Sequence, residues 1–170
     1  NEIVFQANRS KIKAVRANNG ITLSLPKDEP KDIGELNTFS QALNSKALEV
    51  YKGIDDFMVV LEDEAAIANN NPDFSLIKSM DSRGLIITAK GEEVDFVSRW
   101  YGPQTGVNED PATGSAHALL ATYWSKILNK SELNARQLSK RVGHLKCEVK
   151  DDLVEITGQA KLYLKGNIKV

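Results

Sequence analysis

The stretch Gly106–His117, with the sequence GVNEDPATGSAH, stands directly before the clearest helix pattern in the chain. In that pattern, apolar residues recur at helical spacing: Ala116, Leu119, Leu120, Tyr123, Trp124, Ile127 and Leu128. Asp110 before Pro111 is typical of a helix N-cap followed by proline at the first helical position. Thr113 offers a second cap. The stretch therefore predicts a capped start to a helix with a broad apolar face.

The small residues Gly114 and Ser115 give this helix start a candidate binding function. A ligand can approach the backbone N–H groups of the first turn closely, and the Ser115 hydroxyl adds one donor. Orphan N–H groups and the helix dipole favour an anion there, especially a carboxylate. Asp110 could hold an amino or hydroxyl group of the same ligand. The local pattern also fits a capped helix start that binds nothing, so both interpretations stay open.

The rest of the chain combines short strands with weaker helix signals. Strands are predicted over residues 3–7, 12–17, 21–25, 57–61, 85–89, 94–101, 145–149, 153–157 and 160–164, with a hairpin signal at Asn19-Gly20. Helices are predicted over 33–48, 63–68 and 72–80. Residues 26–30, rich in charge and proline, are predicted to form a linker. Strands in adjacent hairpins with one strong helix favour an α+β fold, in which a sheet curves around that helix.

Composition excludes several classes of protein. Of 170 residues, 41% are hydrophobic and 26% are charged, which is ordinary for a globular chain. The formal net charge is -1 and no basic stripe is visible, so no nucleic-acid partner is predicted. The apolar runs are too short to span a membrane, and no secretory signal opens the chain. A single cysteine cannot form an internal disulfide. These features predict a soluble cytoplasmic protein.

A few other residues could carry chemistry, and for each a structural role is the favoured interpretation. His117 is interpreted as a helix residue hydrogen-bonded to a neighbour, and His144 as a surface or turn residue. Cys147 alternates with apolar neighbours, which indicates a buried thiol. Arg99 and Arg141 are interpreted as ion-paired or solvated. The spacing of these residues predicts no metal site, and the sequence contains neither a nucleotide-binding glycine motif nor a serine-hydrolase elbow.

Several motifs together make the chain resemble the PhzF-like family of phenazine biosynthesis proteins. They are Gly84–Ala89, Asp95–Val97, Ser98–Pro103, Gly106–His117, Tyr123-Trp124 and Gln137–Arg141. The resemblance covers essentially the whole chain, and the Glu-Asp-Pro-x-Thr-Gly-Ser-Ala-His run is specific. Three positions depart from the common pattern, since Ala112, Ala118 and Val142 replace the usual valine, cysteine and glycine.

The resemblance implies a diaminopimelate-epimerase-like fold. Such proteins have two similar α+β domains, each with a sheet wrapped around a central helix, and the active site lies between the domains. The sequence begins within an apolar run, which predicts that part of the first domain is missing. The predicted division is residues 1–26 as the end of a truncated N-terminal domain and 31–160 as the C-terminal domain. Residues 161–170 are predicted to form a terminal strand returning to the N-terminal domain.

The resemblance also implies a function: a cofactor-independent isomerase or epimerase that moves a proton on a small carboxylic acid. By the same match, Asp110 is the acidic catalytic residue of this domain, and Gly114 and Ser115 bind the substrate carboxylate. A homodimer is also implied. The family's Ser-Glu-Thr motif, which supplies the shuttling glutamate, is absent from this sequence, so the chain alone is predicted to be inactive. A non-catalytic carboxylate-binding protein and a purely structural subunit are the alternatives.

Overall fold

A mixed sheet of twelve strands dominates the computed structural model, which describes residues 2–6, 11–17 and 20–167. The strands are β1 (Glu2–Gln6), β2 (Lys11–Ala17), β3 (Gly20–Pro26), β4 (Lys31–Asp32), β5 (Glu49–Lys52), β6 (Asp56–Val60), β7 (Gly84–Lys90), β8 (Phe96–Gly102), β9 (Val107–Glu109), β10 (Glu132–Gln137), β11 (Gly143–Val149) and β12 (Leu153–Gly158). The helices are α1 (Leu36–Leu43), α2 (Glu64–Ala68), α3 (Phe74–Lys78) and α4 (Ala116–Leu128), with a 3₁₀ helix at Pro103–Thr105.

Most neighbouring strands in the sheet are antiparallel. The order is β1-β2-β3-β12-β11-β10-β8-β7-β6-β5-β4, and β9 pairs separately with β8. Two pairs are parallel, namely β6 with β7 and β8 with β10. The connection between β8 and β10 contains α4, because parallel neighbours need a long crossover. The predicted α+β class with a mixed sheet is therefore confirmed.

Helix α4 is the centre of the larger hydrophobic core. Nine consecutive residues, Ala116–Trp124, are buried, so the helix is covered on all sides over this length. Strands that precede α4 in sequence and strands that follow it both cover the helix, since Met58 on β6 and Ile156 on β12 belong to the same hydrophobic cluster. The Trp124 indole N–H donates to the Thr88 hydroxyl at 2.9 Å, and its ring stacks on Phe96 at 6.0 Å between centroids. The prediction of a sheet curved around a central helix is confirmed.

The three shorter helices cover the other face of the sheet. Strand β7 alternates accordingly, with Ile86 facing α4 and with Leu85 and Ile87 in the second core cluster beside α1–α3. Helix α2 begins at an acidic cap, as predicted, because the Asp63 carboxylate accepts a hydrogen bond from the Ala66 N–H at 2.7 Å.

Several element predictions were wrong. The helix predicted over 33–48 spans only Leu36–Leu43, because Asn44 adopts a left-handed conformation (φ 49°) that ends it. Strands β5 and β9 and most of β10 were missed, since they are short or mainly polar. The strand predicted over 160–164 is absent: residues 159–167 have no regular structure, and the side chains of Leu162, Tyr163 and Leu164 are largely exposed. Residues 168–170, like Ala7, lie outside the described residues.

Candidate functional site

The loop between β9 and α4 is fixed firmly at Asp110. Its N–H donates to the carbonyl oxygen of Trp100 at 3.3 Å. Its own carbonyl oxygen accepts two hydrogen bonds, from the Gln137 amide at 2.7 Å and from the Ser139 hydroxyl at 3.0 Å. The backbone of Asp110 is therefore held by β8, by the last residue of β10 and by Ser139 just after it.

Neither Asp110 nor Thr113 caps the helix, so the predicted capping arrangement was wrong. Helix α4 begins at Ala116, and the N-cap position is Ser115, whose backbone is already helical (φ −61°, ψ −32°) and whose side chain makes no capping hydrogen bond. The Thr113 hydroxyl instead donates to Oδ2 of Asp110 at 2.7 Å. The helix starts five residues after Pro111, because the loop bonds to Gln137 and Ser139 before it turns into the helix.

Uncapped amides remain at the start of α4. Within the described part of the chain, the N–H groups of Gly114, Ser115 and Ala116 donate no hydrogen bond, whereas that of His117 donates to the Gly114 carbonyl oxygen at 3.0 Å. The positive end of the helix dipole adds to the partial charges of these groups. This helix start is therefore favourable for an anion, and the interpretation as a fully capped end does not apply.

The Arg83 guanidinium places a positive charge at the same helix start. The sequence analysis did not identify this residue. Its Nη1 donates to the Ser115 hydroxyl at 2.9 Å, while Nε donates to Oδ1 of Asp56 at 3.0 Å and Nη2 to Oδ2. The hydrogen-bonded carboxylate of Asp56, which is 5% exposed, raises the pKa of Arg83 further. The only signal in the sequence was a charged residue directly before the apolar strand β7.

An open cavity of about 400 Å³ lies between Arg83 and the start of α4. Its lining includes Arg83, Trp100, Asp110, Gly114 and Ser115, so the three predicted site residues lie around one space. Trp100 forms a wall of this space and is held by close approach to the backbone. A Cβ atom placed on Gly84 or on Gly102 would collide with its ring, so glycine is required at both positions for this packing. The Arg83 guanidinium lies 5.5 Å from the centre of the Trp100 ring.

His117 hydrogen-bonds to the site loop but does not line the cavity. It is fully buried, and its Nδ1 lies 2.9 Å from the carbonyl oxygen of Thr113, which can only accept a hydrogen bond. Burial lowers the pKa of His117 to about 4, so the ring is neutral near pH 7. The interpretation of His117 as a hydrogen-bonded helix residue is confirmed.

The burial of His117 predicts acid sensitivity. The unfolded chain binds a proton at an ordinary histidine pKa, and the folded chain only near pH 4, so stability falls as pH drops from about 6.5 to 4. Urea unfolding at pH 7 and pH 5 gives the loss in the free energy of unfolding between these pH values. We expect His117→Asn to reduce that loss by about 1–2 kcal/mol. His144→Asn, at the exposed second histidine, is the matched control. An unchanged pH dependence in His117→Asn would contradict the assignment.

The other candidate residues have structural surroundings. The Arg99 guanidinium binds both carboxylate oxygens of Glu109, at 2.7 and 2.9 Å, and donates to the carbonyl oxygen of Asn70 at 2.8 Å, which confirms the predicted ion pair. Cys147 is buried, and burial raises its pKa to about 12, which disfavours a nucleophilic thiolate. Arg141 and His144 are exposed.

The described residues contain neither a cluster of metal ligands nor a helix that could span a membrane. No three histidine, cysteine, aspartate or glutamate side chains within residues 2–6, 11–17 and 20–167 converge as metal ligands would. Among the helices in those ranges, none has the length and apolar character that crossing a bilayer requires.

Comparison with known proteins gives consistent matches. The family model described as "Phenazine biosynthesis-like protein" (PhzC-PhzF) matches residues 19–166. A Pseudomonas aeruginosa protein named "Uncharacterized isomerase" is 40% identical over 164 residues, which cover 96% of this chain and 63% of that protein. The crystal structure of a PhzF family protein from Enterococcus faecalis is 41% identical with a TM-score of 0.90, and the match covers 99% of this chain and 65% of that one.

A more distant structure extends the likeness in fold alone. It is a Pseudomonas aeruginosa protein described as a "predicted epimerase", with 14% identity and a TM-score of 0.68 over 100% of this chain and 67% of that one. The diaminopimelate-epimerase-like fold is therefore confirmed. This chain spans a little under two thirds of the length of the first two proteins. Taken with the helix-start site and the enclosed central helix, these matches show that the chain belongs to the PhzC-PhzF family of phenazine biosynthesis-like proteins.

Proposed function

We propose that this chain supplies the carboxylate-binding part, and one acidic residue, of a cofactor-independent isomerase or epimerase acting on a small carboxylic acid. One observation carries the proposal: the Arg83 guanidinium hydrogen-bonds to Ser115 at the uncapped start of α4, beside the cavity that Asp110 also lines. The names of related proteins agree with this reaction class, since several are called isomerases.

The proposed chemistry is a proton transfer at carbon. The substrate carboxylate accepts hydrogen bonds from the amides of Gly114–Ala116, from the Ser115 hydroxyl and from Arg83. When a base removes a proton from a neighbouring carbon, the electron pair of the broken C–H bond delocalises into the substrate carboxylate, and these donors stabilise the added negative charge on its oxygens. Asp110 accepts or returns a proton, or holds a polar substituent of the substrate. The proton then returns to the substrate at a different position or face, so nothing is oxidised or reduced.

A shuttling acid–base residue is needed in addition to Asp110, because a group within hydrogen-bond reach must remove the proton and give it back. By family resemblance this residue is the glutamate of a Ser-Glu-Thr motif, which is absent from the 170 residues. We therefore expect the chain alone to bind carboxylates but to catalyse no exchange. The cytoplasmic location and the homodimer stay predictions.

The carboxylate site is tested by titrating the ¹⁵N-labelled chain with sodium propionate and following amide shifts by NMR. We expect saturable shifts at Gly114, Ser115 and Ala116, with a dissociation constant on the order of millimolar because propionate is small. Propionamide, which has nearly the same shape without the charge, is the matched control ligand. Equal shifts with both ligands, or shifts elsewhere only, would count against the site.

The alternative function is non-catalytic binding of a small carboxylate at the same helix-start site. The coding sequence upstream of Asn1 discriminates between the two functions: that motif there would favour catalysis. The decisive assay is incorporation of deuterium from D₂O at the carbon next to the carboxylate, using a protein with the motif and a panel of amino and hydroxy acids. Asp110→Asn is expected to abolish incorporation, and carboxylate binding without any incorporation would favour the binding protein.

A further inference from the structure

Gln137 is a buried polar residue that hydrogen-bonds to the site loop but does not line the 400 Å³ cavity. It is the last residue of β10 and is 1% exposed. Its Oε1 accepts a hydrogen bond from the Thr113 N–H at 2.7 Å, and an N–H can only donate, so the orientation of the side-chain amide is determined. Its Nε2 must therefore point toward the carbonyl oxygen of Asp110, at 2.7 Å.

The direction of a second hydrogen bond follows from this orientation. The Gln137 Nε2 also lies 3.3 Å from the Thr113 hydroxyl oxygen, so that oxygen accepts a hydrogen bond from the amide. The hydroxyl hydrogen of Thr113 is then free to point the other way, toward Oδ2 of Asp110 at 2.7 Å. The result is a directed chain from Gln137 through Thr113 to the Asp110 carboxylate. Thr113 holds one carboxylate oxygen, and the other accepts no hydrogen bond from the described residues, while Asp110 lines the cavity.

We infer that Gln137 is a positioning residue, which acts through Thr113 to orient the Asp110 carboxylate toward the ligand. The inference rests on the proposed function, since it assumes that Asp110 meets the ligand in the cavity. It assigns no contact between Gln137 and the ligand. It also explains why a full amide side chain is buried here, where an apolar residue would leave the Thr113 N–H unpaired and remove one of the two donors to the Asp110 carbonyl oxygen.

Two ligands separate orientation of Asp110 from general damage to the site. Free L-alanine and propionate differ by one ammonium group, so the ratio of their dissociation constants measures the attraction of Asp110 for that group. Wild-type protein is expected to bind L-alanine more tightly than propionate. In Gln137→Met, which removes the amide without adding a charge, and in Thr113→Val, this preference is expected to fall about threefold to tenfold, the loss typical of one hydrogen bond. Propionate affinity should change less than about twofold.

Thr113→Ser keeps the hydroxyl, so it should retain the wild-type preference for L-alanine over propionate. A purely structural role of Thr113 in the loop would not require this recovery. If Gln137→Met does not fold, Gln137→Asn, which keeps an amide but shortens its reach, replaces it beside Thr113→Val and Thr113→Ser. An unchanged preference in Thr113→Val, or equal weakening of both ligands, would overturn the inference. If wild-type protein binds neither ligand, the proposed function itself is overturned. This outcome is distinguishable from an unchanged preference in the variants, which would overturn only the inference about Gln137.

Discussion

Replacing Arg83 with glutamine is expected to weaken propionate binding at least about tenfold, because the site loses its only full positive charge in direct contact with Ser115 among the described residues. The same change is expected to destabilise the fold by about 2–3 kcal/mol, since Asp56 keeps its charge at 5% exposure without a cationic partner. The partial exposure of Arg83 holds the stability loss below that of a fully buried pair. NMR titration measures the first effect, and urea unfolding the second.

Two further variants separate the two effects of Arg83. Asp56→Asn combined with Arg83→Gln should recover much of the stability without recovering propionate binding, since no buried charge is then unpaired. Arg16→Gln is the matched control, because Arg16 is an exposed arginine on β2 that does not line the 400 Å³ cavity. Wild-type propionate affinity in Arg83→Gln would remove Arg83 from the site.

Replacing Trp124 with alanine is expected to lower the free energy of unfolding by about 4 kcal/mol. The side chain is 4% exposed, stacks on Phe96 and donates to the Thr88 hydroxyl, so its loss leaves a cavity and an unmet acceptor at the centre of the sheet. Urea unfolding followed by circular dichroism measures this change. Ile127→Ala on the same helix is the control, because Ile127 is 57% exposed and should cost less than about 0.5 kcal/mol. Similar losses in both variants would contradict the enclosed position of α4.

Much of the fold was predictable from local pattern. Helix α4 follows from apolar residues at helical spacing, and strands such as β7 and β12 from apolar runs between turn residues. The predictions failed where neighbours distant in sequence decide the structure. The 160–164 segment has strand-like alternation, but a strand forms only against a partner, and residues 159–167 pair with none of the described strands.

The site was predictable in its composition but not in its arrangement. Gly114, Ser115 and Asp110 lie around one cavity as the motif indicated, although their functional roles stay predictions. The arrangement itself depends on Arg83, directly before β7, and on Gln137, at the end of β10. Nothing in their local sequence shows that a guanidinium reaches Ser115, or that an amide holds Asp110 and Thr113. Contacts of this kind exist only after the sheet has closed around the helix.

Enclosure of α4 also sets the order of events when the chain folds. The helix is covered by strands that precede it and strands that follow it, and Tyr123 hydrogen-bonds to Glu49, 74 positions earlier in the chain. The apolar side chains of α4 stay exposed to water until strands from before and after the helix in sequence have packed against it. Closing such long loops is entropically costly. Refolding should therefore take milliseconds to seconds, as in proteins dominated by non-local strand pairs, even though α4 has the strongest local signal in the sequence.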